Sequence, residues 1–302
     1  MCSINHDLKA IYIHVPKNGG VYVEHILKSY YGFTLDYNIK HDNYGFVYSN
    51  DTFYFPSENR GVLKYYTNSK YINRQYKMTE KMWNEYTKFT FVRNPYTKII
   101  SAYEFLQHMY NKSDHYNNDH YTPIEFPSFT EFIKKQTNGL DQSLYKSNIE
   151  LYCYHYYHTF ITQYEHLINN QKQLKINYIG NFENLNEDLI DILSKIGVTN
   201  PTKHLNEIRN DTKFNVSIKK EVSNYIDEEL LLFINDYYDK DFEMFGYSKY
   251  TNVNDLYNNI LFEKQEDVYS NKNKILIEKY TQDTEMTTHV PCRIFLFKGY
   301  SI

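Results

Sequence analysis

Apolar positions in this chain fall into short continuous runs, each followed by a stripe at helical spacing. Residues 10–15 (AIYIHV) form an apolar run rich in β-formers, and PKNGG at 16–20 follows it as a turn signal. Val23, Ile26, Leu27 and Tyr30 then recur one helical turn apart, and Gly32 marks a stop. The order is strand, glycine loop, helix. It returns at residues 88–92 (KFTFV), where Asn94 and Pro95 predict an N-cap and first helical residue, and Ile99, Ile100, Tyr103 and Leu106 an apolar helical face. A third unit runs through residues 175–182 (KINYIGNF). There Asn184 with Glu187 resembles a capping box, Leu185, Leu189, Ile192, Leu193 and Ile196 form the face, and Gly197 ends it.

Between these units lie less regular stretches. Residues 36–80 are polar and aromatic and read as loops with short helices, a usual place for substrate contacts. Residues 111–127 predict an exposed loop, and Ser128 with Glu131 a capping box opening another helix. A long amphipathic helix is expected over 218–238, with Val222, Ile226, Leu230, Phe233 and Tyr237 on one side. Alternating strands and helices predict an α/β fold: a phosphate-loop-like central parallel sheet flanked by helices on both faces. One domain is expected over residues 8–247. Residues 248–302 are Asn- and Lys-rich and predict a C-terminal extension.

Composition narrows the function. The chain of 302 residues holds 34 Tyr and only 10 Gly, a bias that a low-GC genome explains. A net charge of −4 gives no footprint for nucleic acid, although a basic cleft can exist within it. Cys2, Cys153 and Cys292 offer neither a disulfide framework nor metal spacing, so a reducing compartment is expected. No run of about eighteen apolar residues predicts a membrane span. With no signal-peptide core before Lys17, the expectation is a cytoplasmic protein.

Strand–PKNGG–helix is a phosphate-cradle arrangement. Glycines let backbone N–H groups approach an anion, the helix N-terminus adds partial positive charge, and Lys17 adds a full one. A nucleotide-triphosphate loop instead places Lys after its last glycine, followed by a hydroxyl for Mg²⁺. Here Val21 and Tyr22 follow the glycines, so no metal is expected. In FVRNPYTKIISAY, Arg93 stands at a strand end and Ser101 two turns into the next helix. Helical side chains lean toward the N-terminus, so the two can converge on one anion, and Arg forks well onto phosphate.

IHVPKNGG is similar to the 5′-phosphosulfate loop of the carbohydrate-type (family 2) sulfotransferases, and KMWNEYTKFTFVRNPYTKIISAY resembles their 3′-phosphate segment. YIGNFENLNEDL and YYDKDFEMFGY resemble two further family segments, so the likeness spans about residues 8–247. It implies transfer of a sulfuryl group from 3′-phosphoadenylyl sulfate (PAPS), without metal, to a hydroxyl of a carbohydrate. It implies that Lys17 reaches the sulfate and bridging oxygen, that Asn18, Gly19, Gly20, Val21 and Tyr22 line the loop, and that Arg93 and Ser101 hold the 3′-phosphate. His41, in IKHDNYG, resembles the family's catalytic His and is the expected base. Glu24 is its rival, and His14 a core or loop-bracing residue.

The family's first Thr is Asn18 here, its second Thr is Val21 and its Ser is Tyr22. These departures leave a non-catalytic nucleotide-binding relative as the alternative of a different class. A sulfotransferase for protein tyrosine or a small molecule is the alternative among enzymes. LYCYHYYH at 151–158 lacks paired metal ligands and reads as a Tyr-rich helix face.

Overall fold

A computed structural model describes residues 2–35, 80–111, 127–137, 161–167, 174, 176–204 and 221–260. Among these, five strands form one mixed sheet in the order β3-β1-β2-β4-β5. They are β1 (Cys2–Asn5), β2 (Ala10–Ile13), β3 (Thr34–Leu35), β4 (Thr87–Val92) and β5 (Tyr178–Asn181). The strands β2, β4 and β5 are parallel, with Ile13 opposite Thr90 and Val92 opposite Asn181. The parallel expectation therefore holds for β2, β4 and β5. On the sheet's far side β1 and β3 add antiparallel partners that the hydrophobic pattern did not reveal. CSIN is too short and mixed to signal a strand alone, and a tight turn from Asn5 to Ala10 makes it one.

Both faces of the sheet are covered, as the alternation of side chains along each strand requires. Ala10, Tyr12, Phe89 and Phe91 pack with Val23, Ile26 and Leu27 of α1 (Gly20–Tyr30) and with Leu189, Ile192 and Leu193 of α6 (Leu185–Lys195). The alternate residues Ile11, Ile13 and Val92 face α2 (Glu80–Glu85), α5 (Gln163–Leu167) and α8 (Asp239–Phe245), through Trp83, Leu167 and Phe245. A third cluster joins α3 (Pro95–Asn111), α4 (Phe129–Thr137), α7 (Glu228–Tyr237) and α9 (Val253–Asn259). It contains Ile99, Phe132, Leu231 and Leu256, so apolar packing continues past residue 248.

The helix ends show which local signals act. Asn94 Oδ1 accepts the Tyr96 N–H (3.0 Å) and opens α3. Ser128 and Glu131 make the reciprocal bonds of a capping box. Asn184 makes no such bond, because a 3₁₀ turn over Phe182–Asn184 already leads into α6 and the extended cap geometry never forms. The long helix expected over 218–238 begins only at Glu228. Asp227 is extended and accepts the Leu230 N–H (2.9 Å), so it caps α7 and breaks the run.

Candidate active site

The parallel strands end together, and the connections leaving β2, β4 and β5 meet there, the usual ligand edge of an open α/β sheet. The β2 connection is the glycine loop. Lys17 (φ 68°) and Gly19 (φ 76°) are both left-handed, and strain at a non-glycine residue marks a position the fold enforces. Gly19 O accepts the Val23 N–H (3.1 Å) as the first helical bond, and no side chain caps the turn. The Gly20 and Val21 amides thus sit at a bare helix N-terminus.

The loop floor is built from side chains. Asn18 is fully buried, and its amide donates to Phe91 O (2.8 Å) and to Gln163 Oε1 (2.8 Å). Asn18 therefore braces the loop from below, and its side chain does not donate into the cradle as a replacement for threonine would. Tyr22 likewise turns away: its hydroxyl donates to Asn186 Oδ1 (2.8 Å) and joins α1 to α6. Val21 is half-exposed at the mouth and brings no polar group. What the loop can offer an anion is therefore Lys17 and backbone amides.

Arg93 leaves the end of β4 and is held on three sides. Its Nε donates to Thr97 Oγ1 (3.0 Å), its Nη1 donates to Lys17 O (3.2 Å), and its guanidinium stacks on Phe182, 4.1 Å from the ring centre. Phe182 also supports the loop, because a methyl at Gly19 would lie 3.1 Å from its ring. Glu183 accepts the Asn94 N–H (2.9 Å) and the Tyr247 hydroxyl (2.8 Å), which fixes the turn carrying Phe182.

The helix α3 closes the site along one stripe. Thr97 holds Arg93, and Lys17 Nζ lies 3.8 Å from the centre of the Phe105 ring. Ser101 stands between them, one turn from each, half-buried on the same face. Lys17, Gly19, Gly20, Val21, Arg93 and Ser101 are thus brought to one end of the sheet. His41 lies outside the described residues, as do residues 151–160.

The rival base is engaged elsewhere. Glu24 Oε1 meets His14 Nδ1 at 3.0 Å. The other edge of the His14 ring presses on the loop: a methyl at Gly20 would lie 2.1 Å from Nε2. His14 is a loop brace, and Glu24 holds its ring behind α1.

Electrostatically the site is a concentration of cations. Burial and the neighbouring Arg93 and Lys98 push Lys17 down to about 7, against the opposing pull of Glu104. Burial lowers Arg93 to about 10 and Lys98 to about 8. Lys98 Nζ is buried without a hydrogen-bond partner among the described residues. Asp241, facing Lys98, is raised by burial to about 6. Among the described residues Glu104, Glu183 and Asp241 offset part of this charge, and the Lys17 and Arg93 cations that remain beside the glycine loop suit an anionic ligand. Among the described residues, no group of His, Cys, Asp or Glu could hold a metal ion, and no helix is long and apolar enough to cross a membrane.

Sequence reading missed Gln163, Phe182 and Phe105. Phe182 was visible only as part of a family-like segment, and nothing near Gln163 announces its role.

A glycine-loop α/β domain with an arginine at the neighbouring strand end defines an anion-transferring or anion-binding class. Within it, the chain belongs to the sulfotransferase family, family 2, which it matches over residues 2–248. It is also 29% identical over 119 residues to an uncharacterized protein of Archaeoglobus fulgidus, covering 39% of this chain and 74% of that protein. No solved structure matches it.

Proposed function

We propose that this protein transfers a sulfuryl group from PAPS to a hydroxyl of a carbohydrate. The observation that carries the reading is the bond from Arg93 Nη1 to Lys17 O (3.2 Å), which joins a backbone anion cradle to a second, separate cation. Two anion sites built as one unit suit a donor with phosphates on both sides of its ribose.

In this reading the Gly20 and Val21 amides and Lys17 take the 5′-phosphosulfate, while Arg93 and Ser101 take the 3′-phosphate. The acceptor oxygen attacks sulfur, and a new S–O bond forms as the bond from sulfur to the bridging oxygen breaks. That electron pair goes to the leaving phosphate, and Lys17 stabilises the charge gained there. The acceptor proton goes to His41. Glu24, whose Oε1 holds the His14 ring, is the second candidate.

The test is incubation with ³⁵S-labelled PAPS and a panel of oligosaccharides. Label should appear on at least one sugar, in EDTA as well as without it. Label on tyrosine peptides alone would overturn the acceptor. A protein that binds 3′-phosphoadenosine 5′-phosphate yet labels no hydroxyl would overturn the reaction.

A further inference from the structure

We infer that Gln163 is a positioning residue that locks the two halves of the donor site together, an inference that rests on the proposed donor. Gln163 is fully buried at the start of α5. Its Oε1 accepts the Arg93 N–H (2.8 Å) and the Asn18 Nδ2 (2.8 Å), and its Nε2 donates to Arg93 O (2.8 Å). One primary amide thus holds both backbone groups of the arginine and the floor of the glycine loop. Asn18 carries the link on, because its second amide hydrogen reaches Phe91 O in β4.

The lock is itself anchored. Asp241 Oδ2 accepts the Gln163 N–H (2.9 Å) and Oδ1 accepts the Tyr164 N–H (2.7 Å). Gln163 Nε2 also lies 3.3 Å from Asp241 Oδ2. Gln163 therefore sits between a buried carboxylate and the backbone from which Arg93 projects.

The chemistry explains the residue types. A hub that must accept from Asn18, accept from an N–H and donate to a C=O is met by an amide, whose acceptor and donor sit on separate atoms of one planar group; an ionised carboxylate has no donor, and a hydroxyl has both functions on a single atom. Asn18 needs two donor hydrogens for its two partners, which a threonine hydroxyl cannot supply. The departure from the family's threonine is thus a partner to Gln163. Because the Asn18, Gln163 and Asp241 side chains are fully buried, leaving one of their bonds unmade costs more than the bond itself is worth, so the geometry is strongly held.

The inference assigns Gln163 to the aim of Arg93, so its loss should weaken recognition of the 3′-phosphate in particular. The experiment measures, by calorimetry at pH 8, the affinities of 3′-phosphoadenosine 5′-phosphate and of 5′-AMP, which lacks that phosphate. Wild type should prefer the bisphosphate by about 30-fold or more. Gln163→Met, similar in shape but without the hub's bonds, should lower that preference about tenfold. Gln163→Glu, which keeps an acceptor oxygen but sets its other oxygen against Arg93 O and Asp241 Oδ2, should lower it at least as far.

A purely structural role would lower the melting temperature and leave the ratio of the two affinities where it was. A wild-type ratio retained in Gln163→Met overturns the inference and leaves the donor reading intact. If Gln163→Met does not fold, a wild-type ratio in Gln163→Glu overturns it equally. A wild type that binds both nucleotides alike overturns the donor reading, and this inference with it.

Discussion

Binding of the donor product should draw a proton into the protein, and Lys17 supplies the reason. In the folded chain, burial and the nearby Arg93 and Lys98 hold its ammonium at about 7 instead of the usual 10.5. At pH 8 about nine-tenths of the molecules then carry a neutral lysine, by simple titration. A phosphate in the loop reverses the balance: a close anion favours the charged form and lifts the pKa well above 8. From Lys17 an uptake of about 0.9 proton per ligand follows at pH 8 and of only about 0.1 at pH 6, where the ligand's phosphates exchange protons as well. Over the same range affinity should drop about tenfold for each pH unit above 7.5. The ligand's own second phosphate ionisation lies near 6, so it is complete at pH 8. Arg93, at about 10, remains charged there. The assay is calorimetry in Tris and in Hepes, where the dependence of the observed heat on buffer ionisation counts the protons. Lys17→Met should remove the uptake. No uptake in wild type at pH 8, or equal uptake in Lys17→Met, would refute the argument. The same shift has a stability consequence of defined sign. The folded, unliganded chain holds fewer protons than the unfolded one between pH 7 and 10.5, so this group makes the protein more stable as pH rises through that window.

Other outcomes follow from particular contacts. Arg93→Ala should weaken binding of 3′-phosphoadenosine 5′-phosphate by about 2–4 kcal/mol in calorimetry, through loss of a charge-assisted fork. His41→Ala should leave that binding unchanged and slow sulfuryl transfer about 10²–10⁴-fold, as for a lost general base. Gly20→Ala should destabilise the fold by about 1–3 kcal/mol or more in chemical denaturation, since its methyl would lie 2.1 Å from His14 Nε2; His14→Ala in the same chain should recover most of the loss. Asp227→Ala should cost about 1 kcal/mol by the same measurement, because the cap on the Leu230 N–H is lost.

What was legible along the chain is what neighbouring residues decide among themselves. Three strand–turn–helix units, the Asn94 and Ser128 caps and the glycine loop all depend on spacings of a few residues. The fold class and the positions of Lys17, Gly19, Gly20 and Arg93 at one sheet end follow from that order, because parallel strands must release their loops on the same edge. The antiparallel strands β1 and β3 were not legible, since their pairing comes from backbone register with no hydrophobic signature. Nor were the side-chain assignments inside the site. Asn18 reads as a loop donor until Gln163, 145 residues away, turns it inward. Glu24 reads as a base until His14 claims it. Phe182 becomes the platform for Arg93 only when β5 lies beside β4. A residue's type and spacing state what its atoms can donate or accept. Which of those capacities is left for a ligand depends on the groups that folding packs against it, and for Asn18 and Arg93 those come from segments distant in the chain.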